Sequence, residues 1–296
     1  YFYNNAYTLN GQNIDVNNNT AGQKNYISTW GRVTGLDGVN TNIDVTVGDT
    51  RAFMIDEGID SSDATVAPFR YTGTIKLKET KTVGIDVQGT HTSYSQGAGN
   101  SVNPSFNTVN QVANIKVINE GKIIGEGAAG RKNQVAFGFN NFDSSSNNTR
   151  TEMINKGTVT LGATESVGIQ LRPEDPNASG AANKLLGLNM MTGENADKAT
   201  ITLNGAGSFG ILTVKNKDLA KLKLDPNSKD LAAPKAYDNI TTPAGGKIAS
   251  RGQETNKSLI KNEGTINIES DNSIGIGLLN SIQSVEVGGK INIGEA

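Results

Sequence analysis

The chain has no cysteine, one histidine and one tryptophan among its 296 residues, and aromatic residues make up only 5%. Without cysteine, every disulfide framework and every thiolate metal site is excluded. A thiol-free chain also suits a protein that crosses a membrane unfolded. No apolar run approaches the roughly 18 residues of a spanning helix, and the opening YFYNNAYTLN lacks the basic and apolar stretches of a secretory signal. An excess of charge of either sign is missing too: the net charge is −2 with both signs interspersed, which leaves no basic stripe for nucleic acid and no polybasic patch for a membrane. What the chain does hold is 35 glycines and 36 asparagines, a composition suited to short strands joined by many turns.

An internal repeat accounts for that composition, and it fixes the architecture before any single residue is weighed. NKGTVTLGATESVGIQL from Asn155 and NEGTINIESDNSIGIGL from Asn262 share the template N-x-G-T-[IV]-x-[IL], a polar turn, then S-[VI]-G-I. Gly73 and Gly84, Gly157 and Gly168, and Gly264 and Gly275 bracket the turn at one constant offset. A fourth copy starts at Ala199 and reaches Gly210, and a degraded copy is expected from Ile43 to Met54. In the copy at Asn119, Gly121 pairs with Gly138 across an enlarged turn, GEGAAGRKNQ. The last copy, GGKINIG, breaks off, so the chain reads as an excerpt of a longer protein.

Within each copy the apolar residues alternate, the period of a strand with one buried face. Val159, Leu161, Val167, Ile169 and Leu171 form one expected inward set; Ile75, Leu77, Val83, Ile85 and Val87 form another, as do Ile266, Ile268, Ile274, Ile276 and Leu278. A single unit cannot bury such a face, whereas copies stacked in register make a continuous aliphatic column. The expected fold is therefore all-β: a right-handed parallel β-helix with inserted loops, and short helices within those loops. A heptad coiled coil and a Rossmann domain are excluded by period. Residues 1–40 are expected to be a degenerate coil or the N-terminal end of the excerpt and 41–296 the repeats, with seven to eleven coils in all depending on what the long intervals hold.

The repeats N-x-G-T-I-x-I and S-x-G-I resemble those of the very large fusobacterial type V autotransporter passengers, over about residues 40–296. The resemblance implies a rod displayed outside the outer membrane and anchored by a barrel elsewhere in the parent chain. It further implies adhesion to a host cell-surface protein, a glycan or partner bacteria. A β-helical carbohydrate-active enzyme and a passive spacer are the alternatives.

Chemistry is sparse. His91 lies in a polar loop near Ser93 and Ser95, but no G-x-S-x-G elbow accompanies it. Asp56, Glu57, Asp60 and Asp63 read as a solvated acidic loop, and the G-G-x-G-x-D nonapeptide of calcium β-rolls is missing. No catalytic residue, metal or cofactor is assigned. Binding residues concentrate on loops held by a rigid scaffold, which directs attention to insertions at about 88–112, 172–197 and 215–261. Trp30, His91, Tyr94, Phe106, Arg172 and Tyr237 are the candidate binding residues. Within the second insertion, Asn183 to Met191 is expected to form a short helix capping the coil edge, and KDLAKLKLDP a helical turn in the third.

Overall fold

The computed structural model describes residues 2–3, 11–18, 26–30, 37–55, 59–60, 69–87, 113–139, 148–171, 188–213, 259–278 and 284–294. All of its regular structure is strand. After three leading strands, β1 (Phe2–Tyr3), β2 (Asn13–Val16) and β3 (Ile27–Trp30), the chain winds in coils of three. The first coil is β4 (Asp37–Val39), β5 (Asn42–Val45) and β6 (Thr50–Ile55). A short β7 (Ile59–Asp60) precedes the second, β8 (Phe69–Tyr71), β9 (Thr74–Leu77) and β10 (Thr82–Val87). The third is β11 (Ala113–Asn119), β12 (Lys122–Gly125) and β13 (Gln134–Phe139); the fourth β14 (Asn148–Asn155), β15 (Thr158–Leu161) and β16 (Val167–Leu171). The fifth is β17 (Leu188–Asn195), β18 (Thr200–Leu203) and β19 (Phe209–Thr213), and the sixth β20 (Leu259–Asn262), β21 (Thr265–Ile268) and β22 (Ile274–Leu278). β23 (Ser284–Val287) and β24 (Lys290–Ile293) follow.

Corresponding strands pair in parallel from coil to coil and build three long sheets, so the architecture is the expected parallel β-solenoid. Only β7 departs, pairing antiparallel with β11. The second sheet runs β2-β5-β9-β12-β15-β18-β21-β24 without a gap. Each long sequence interval therefore holds one coil and one insertion, with no hidden degenerate coil, and the eight strands span about 34 Å at the usual inter-strand spacing. Strand pairing also reaches into the first forty residues: Asn13–Val16 lies in register on Asn42–Val45, two identical NIDV strings.

Register revises two details of the repeat. Ile43 pairs with Ile75 and Phe53 with Ile85, so Thr41 and Ala52 occupy the places of Gly73 and Gly84, two residues earlier than Ile43 and Met54. Phe137 likewise pairs with Ile85, which makes Ala136, not Gly138, the counterpart of Gly84. Both substitutes are small because a Cβ at this column meets the next coil: on Gly168 it would lie 2.4 Å from the Gly210 carbonyl oxygen and 3.0 Å from Ile201 Cγ2.

That contact places Gly168 inside the solenoid and corrects the expected alternation. The chain bends at the glycine column, so two successive residues, Gly168 and Ile169, face inward and the residue before them is turned out, as at a β-bulge. Ile85, Phe137, Ile169 and Ile211 belong to the continuous core, whereas Val83, Val135, Val167 and Phe209 do not. A Cβ on Gly138, which lies on the outer side, would instead approach Val135 and Val83 at 3.4 and 3.7 Å. Val83, Val167 and, in the same column, Ile274 are thus outward residues.

Three corner devices hold the stack. At the first corner the N-x-G glycine lies flat on the coil before it, and a Cβ on Gly157 would stand 2.1 Å from the Gly121 carbonyl oxygen and 2.7 Å from the Glu120 carbonyl carbon. Backbone cannot give way as a side chain can. Gly157→Ala is expected to cost about 3 kcal/mol, measured as a lowered thermal midpoint by circular dichroism. Ala199 is accepted because its corner is longer, with Asp197 and Lys198 in a turn that Ala199 closes by donating its N–H to the Ala196 carbonyl at 3.0 Å.

At the second corner, the residue one or two places before the third strand is left-handed in all six coils: Asp49, Lys81, Asn133, Glu165, Gly207 and Asn272. Only Gly207 adopts this without steric cost, and a side chain there costs about 1 kcal/mol. After allowance for glycine's extra unfolded-state entropy, Glu165→Gly is expected to stabilise the chain by about 0.5 kcal/mol, read from the same melts.

The third device is buried asparagine. Asn119, Asn155, Asn195 and Asn262 are fully buried and hydrogen-bond side chain to side chain along the rod. Nδ2 of Asn119 donates to Oδ1 of Asn155 at 2.9 Å, Asn155 to Asn195 at 3.0 Å, and Asn195 to Asn262 at 2.8 Å. Toward the first coil the ladder gives way to Tyr71, which pairs with Asn119 in register and donates its hydroxyl to the Thr41 carbonyl at 2.6 Å. Burial pushes that phenol well above its ordinary value, and Phe53 stacks edge-on against it, with Phe69 on Phe53.

Candidate functional site

A rigid rod positions only what leaves it, and the topology fixes where that happens. From the second coil on, every sequence interval of eight or more residues except the turn at 126–133 falls at one corner, between a third strand and the first strand of the next coil; in the first coil residues 56–68, which hold β7, follow β6 at the same corner. Residues 88–112 follow β10, 140–147 follow β13, 172–187 follow β16 and 214–258 follow β19. Strands β10, β13, β16 and β19 are consecutive neighbours in the third sheet, and β11, β14, β17 and β20 in the first. Four insertions therefore depart along one edge within about 14 Å, three inter-strand spacings.

Residues 88–112 separate β10 from β11. The other two insertions are shorter than expected, because Leu188–Asn195 and Leu259–Asn262 are strands paired in register with their neighbours. The helix expected over Asn183 to Met191 is corrected accordingly: from Leu188 onward the chain is extended, its Leu and Met run being the first strand of a coil. KDLAKLKLDP lies outside the described residues.

Of the candidate binding residues, Trp30 closes β3 and pairs with Tyr3; Thr29 pairs with Ile55 and Ile55 with Val87, so Trp30 stands at the end of the third sheet from which the insertions leave, two strands from β10. His91, Tyr94, Phe106, Arg172 and Tyr237 fall in the insertions and lie outside the described residues, as do Ser93, Ser95, Asp56, Glu57 and Asp63. Asp60 is in β7, beside Ala113. Among the described residues no group of three His, Cys, Asp or Glu side chains could hold a metal ion, and no helix is long and apolar enough to cross a membrane.

Most of the charges that the structure brings together join coils. Asp86, fully buried, accepts an ion pair from Arg51 of the preceding coil at 2.7 Å. The Arg51 guanidinium lies 5.0 Å from the Tyr26 ring centroid, and its Nη1 is 3.6 Å from the Met54 sulfur. Asp44 and Lys78 pair at 2.5 Å on the outside of the second sheet, and Arg70 with Glu120 at 2.7 Å. In each case the partners come from adjacent coils, so these pairs specify register. Sequence reading missed the Arg51–Asp86 pair. Its one available signal was a carboxylate set among the alternating apolar residues of TVGIDV, where an unpaired charge would be costly to bury.

The outer side of the second sheet is polar and regular. Thr158, Thr160, Thr200, Thr202, Thr265 and Asn267 stand there half-buried, in register across three coils. No family model, no curated protein and no solved structure matches this chain.

Proposed function

We propose that this chain is an adhesin segment: a stretch of bacterial autotransporter passenger, displayed at the cell surface, that binds a host protein, a glycan or a partner bacterium through its insertions. The observation that carries the reading is the grouping of the four insertions on one edge of an otherwise regular rod. Loops gathered on a stiff scaffold make a recognition surface whose parts keep their spacing. The solenoid contributes reach, since each added coil lengthens the rod without altering its core. No step of bond chemistry is assigned to it.

The test is binding of the purified chain to a glycan array and to a panel of host surface proteins, beside a form in which residues 214–258 are replaced by a short Gly/Ser link. Saturable binding lost in the shortened form supports the reading. Absence of binding by both forms, each folded by circular dichroism, overturns it in favour of a spacer rod.

A further inference from the structure

Two kinds of contact join one coil to the next, and they change over at the third coil. Across the first two interfaces, side chains of opposite charge meet. Asp44, Asp49 and Arg51 of the first coil pair with Lys78, Lys81 and Asp86 of the second at 2.5, 3.8 and 2.7 Å. Arg70 and Glu79 of the second coil pair with Glu120 and Arg131 of the third at 2.7 and 3.9 Å. Asp86 is fully buried, whereas both members of the other four pairs stand partly in solvent.

From the third coil to the sixth, two neutral ladders run without a break. The asparagine ladder follows the first corner from Asn119 to Asn262. A hydroxyl ladder follows the second. The Gln134 N–H donates to Ser166 Oγ at 3.2 Å, the Ser166 N–H to Ser208 Oγ at 3.1 Å, and the Ser208 N–H to Ser273 Oγ at 3.1 Å. Each hydroxyl in turn donates within its own corner, Ser166 to the Ala163 carbonyl at 2.9 Å and Ser208 to the Gly205 carbonyl at 2.6 Å. Ser166 and Ser208 are fully buried. Among the described residues no ion pair crosses these three interfaces. Lys261 pairs with Glu263 of its own coil at 2.8 Å, and Glu194 and Glu286 of the neighbouring coils act on it through space.

The two kinds of contact answer differently to salt. Charges that stand partly in water attract each other less as the screening length falls from about 10 Å at 0.1 M to about 3 Å at 1 M. Buried hydrogen bonds between neutral groups carry no net charge to screen. One partly exposed pair is worth a factor of about 1.4 to 5 in an opening equilibrium, and two act at each of the first two interfaces.

We propose that the third coil divides the rod into an ionic segment, coils one and two, which opens locally as ionic strength rises, and a neutral segment, coils four to six, which does not. Three of the four insertions, after β13, β16 and β19, depart between the third coil and the sixth, so most of the insertion edge keeps its spacing when the first coils loosen. This goes beyond the adhesin reading and does not depend on it.

The test is amide hydrogen exchange of the whole chain, followed by mass spectrometry of its peptides, in about 20 mM and about 1 M sodium chloride. Peptides from β5, β6, β9 and β10 are expected to exchange at least about fivefold faster in the higher salt, and those from β15, β16, β18 and β19 to stay within about twofold. Equal responses in the two segments, or no response in the first, overturn the proposal. A form neutralised at four positions, Asp44→Asn, Asp49→Asn, Lys78→Gln and Lys81→Gln, is expected to lose most of the salt response in the first two coils. A form with those charges exchanged, Asp44→Lys, Asp49→Lys, Lys78→Asp and Lys81→Asp, is expected to keep it. An undiminished response in the neutralised form overturns the assignment to the pairs. Exchange requires no ligand, so a failed binding panel and a uniform salt response are read separately.

Discussion

Ile169→Asp is expected to unfold the middle of the rod. Ile169 is fully buried in the continuous core, stacked between Phe137 and Ile211 of the neighbouring coils. A carboxylate there has no partner and no water, and its burial costs at least about 4 kcal/mol, the exceptional end of single substitutions. Because each coil rests only on its neighbours, the loss is expected to spread to β13 and β19 and split the melt into two transitions. The same change at Ile276 makes a useful contrast. Ile276 is only half-buried, at the margin of the core, and its substitution should lower stability by about half as much. Equal, small effects at both sites in thermal and urea melts would refute the inward assignment.

Asn155→Ala tests the polar counterpart of that column. The Asn155 side chain accepts from Asn119 and donates both to Asn195 and to the Thr200 carbonyl at 3.1 Å. Its removal takes the donor from Asn195 Oδ1 and from the Thr200 carbonyl, and leaves the Asn119 amide only the Gly121 carbonyl at 3.4 Å. One buried unsatisfied group costs about 1–3 kcal/mol, so a loss of about 4 kcal/mol is expected for the set. The companion change Asn262→Ala, at the ladder's end, takes the acceptor from one asparagine donor, Asn195 Nδ2, which keeps the Thr265 carbonyl at 3.2 Å, and should cost less. Amide exchange at Asn119 and Asn195 would locate the damage: protection should fall at both for Asn155→Ala and only at Asn195 for Asn262→Ala. An unchanged melt for Asn155→Ala would mean that the ladder is incidental to stability.

The two variants mark different depths of legibility. Ile169 was assigned to the interior from alternation alone, because period two and a stacked repeat leave an aliphatic residue only one favourable place. Asn155 was visible as the first letter of N-x-G, yet its burial was not. Asparagine at a turn is ordinarily solvated, and only stacking of four copies supplies the partners that let it go inside. Val167 shows where local reasoning failed. Strict alternation put it in the core, but a glycine with no Cβ lets the next coil's carbonyl come close, the strand bends, and the residue before it turns out. Leu188 to Met191 failed for a related reason: a short apolar run fits a helix or a strand equally well, and pairing with β14 decided it.

For the function, residue type and spacing pointed to the insertions, with Trp30 besides, as the places with material for recognition, and identified no catalytic set. Their convergence was not readable, because the third corner is one place only after the coils are stacked. By itself the sequence determined the repeat, the β-solenoid class and which residues are aliphatic columns, since these follow from a periodic pattern and the need to bury it. Only the tertiary structure decided the glycine bend, the outward apolar rows, the asparagine ladder and the single edge from which the insertions leave. Each of these depends on contacts between residues about thirty or more positions apart, which exist only once one coil lies on the next.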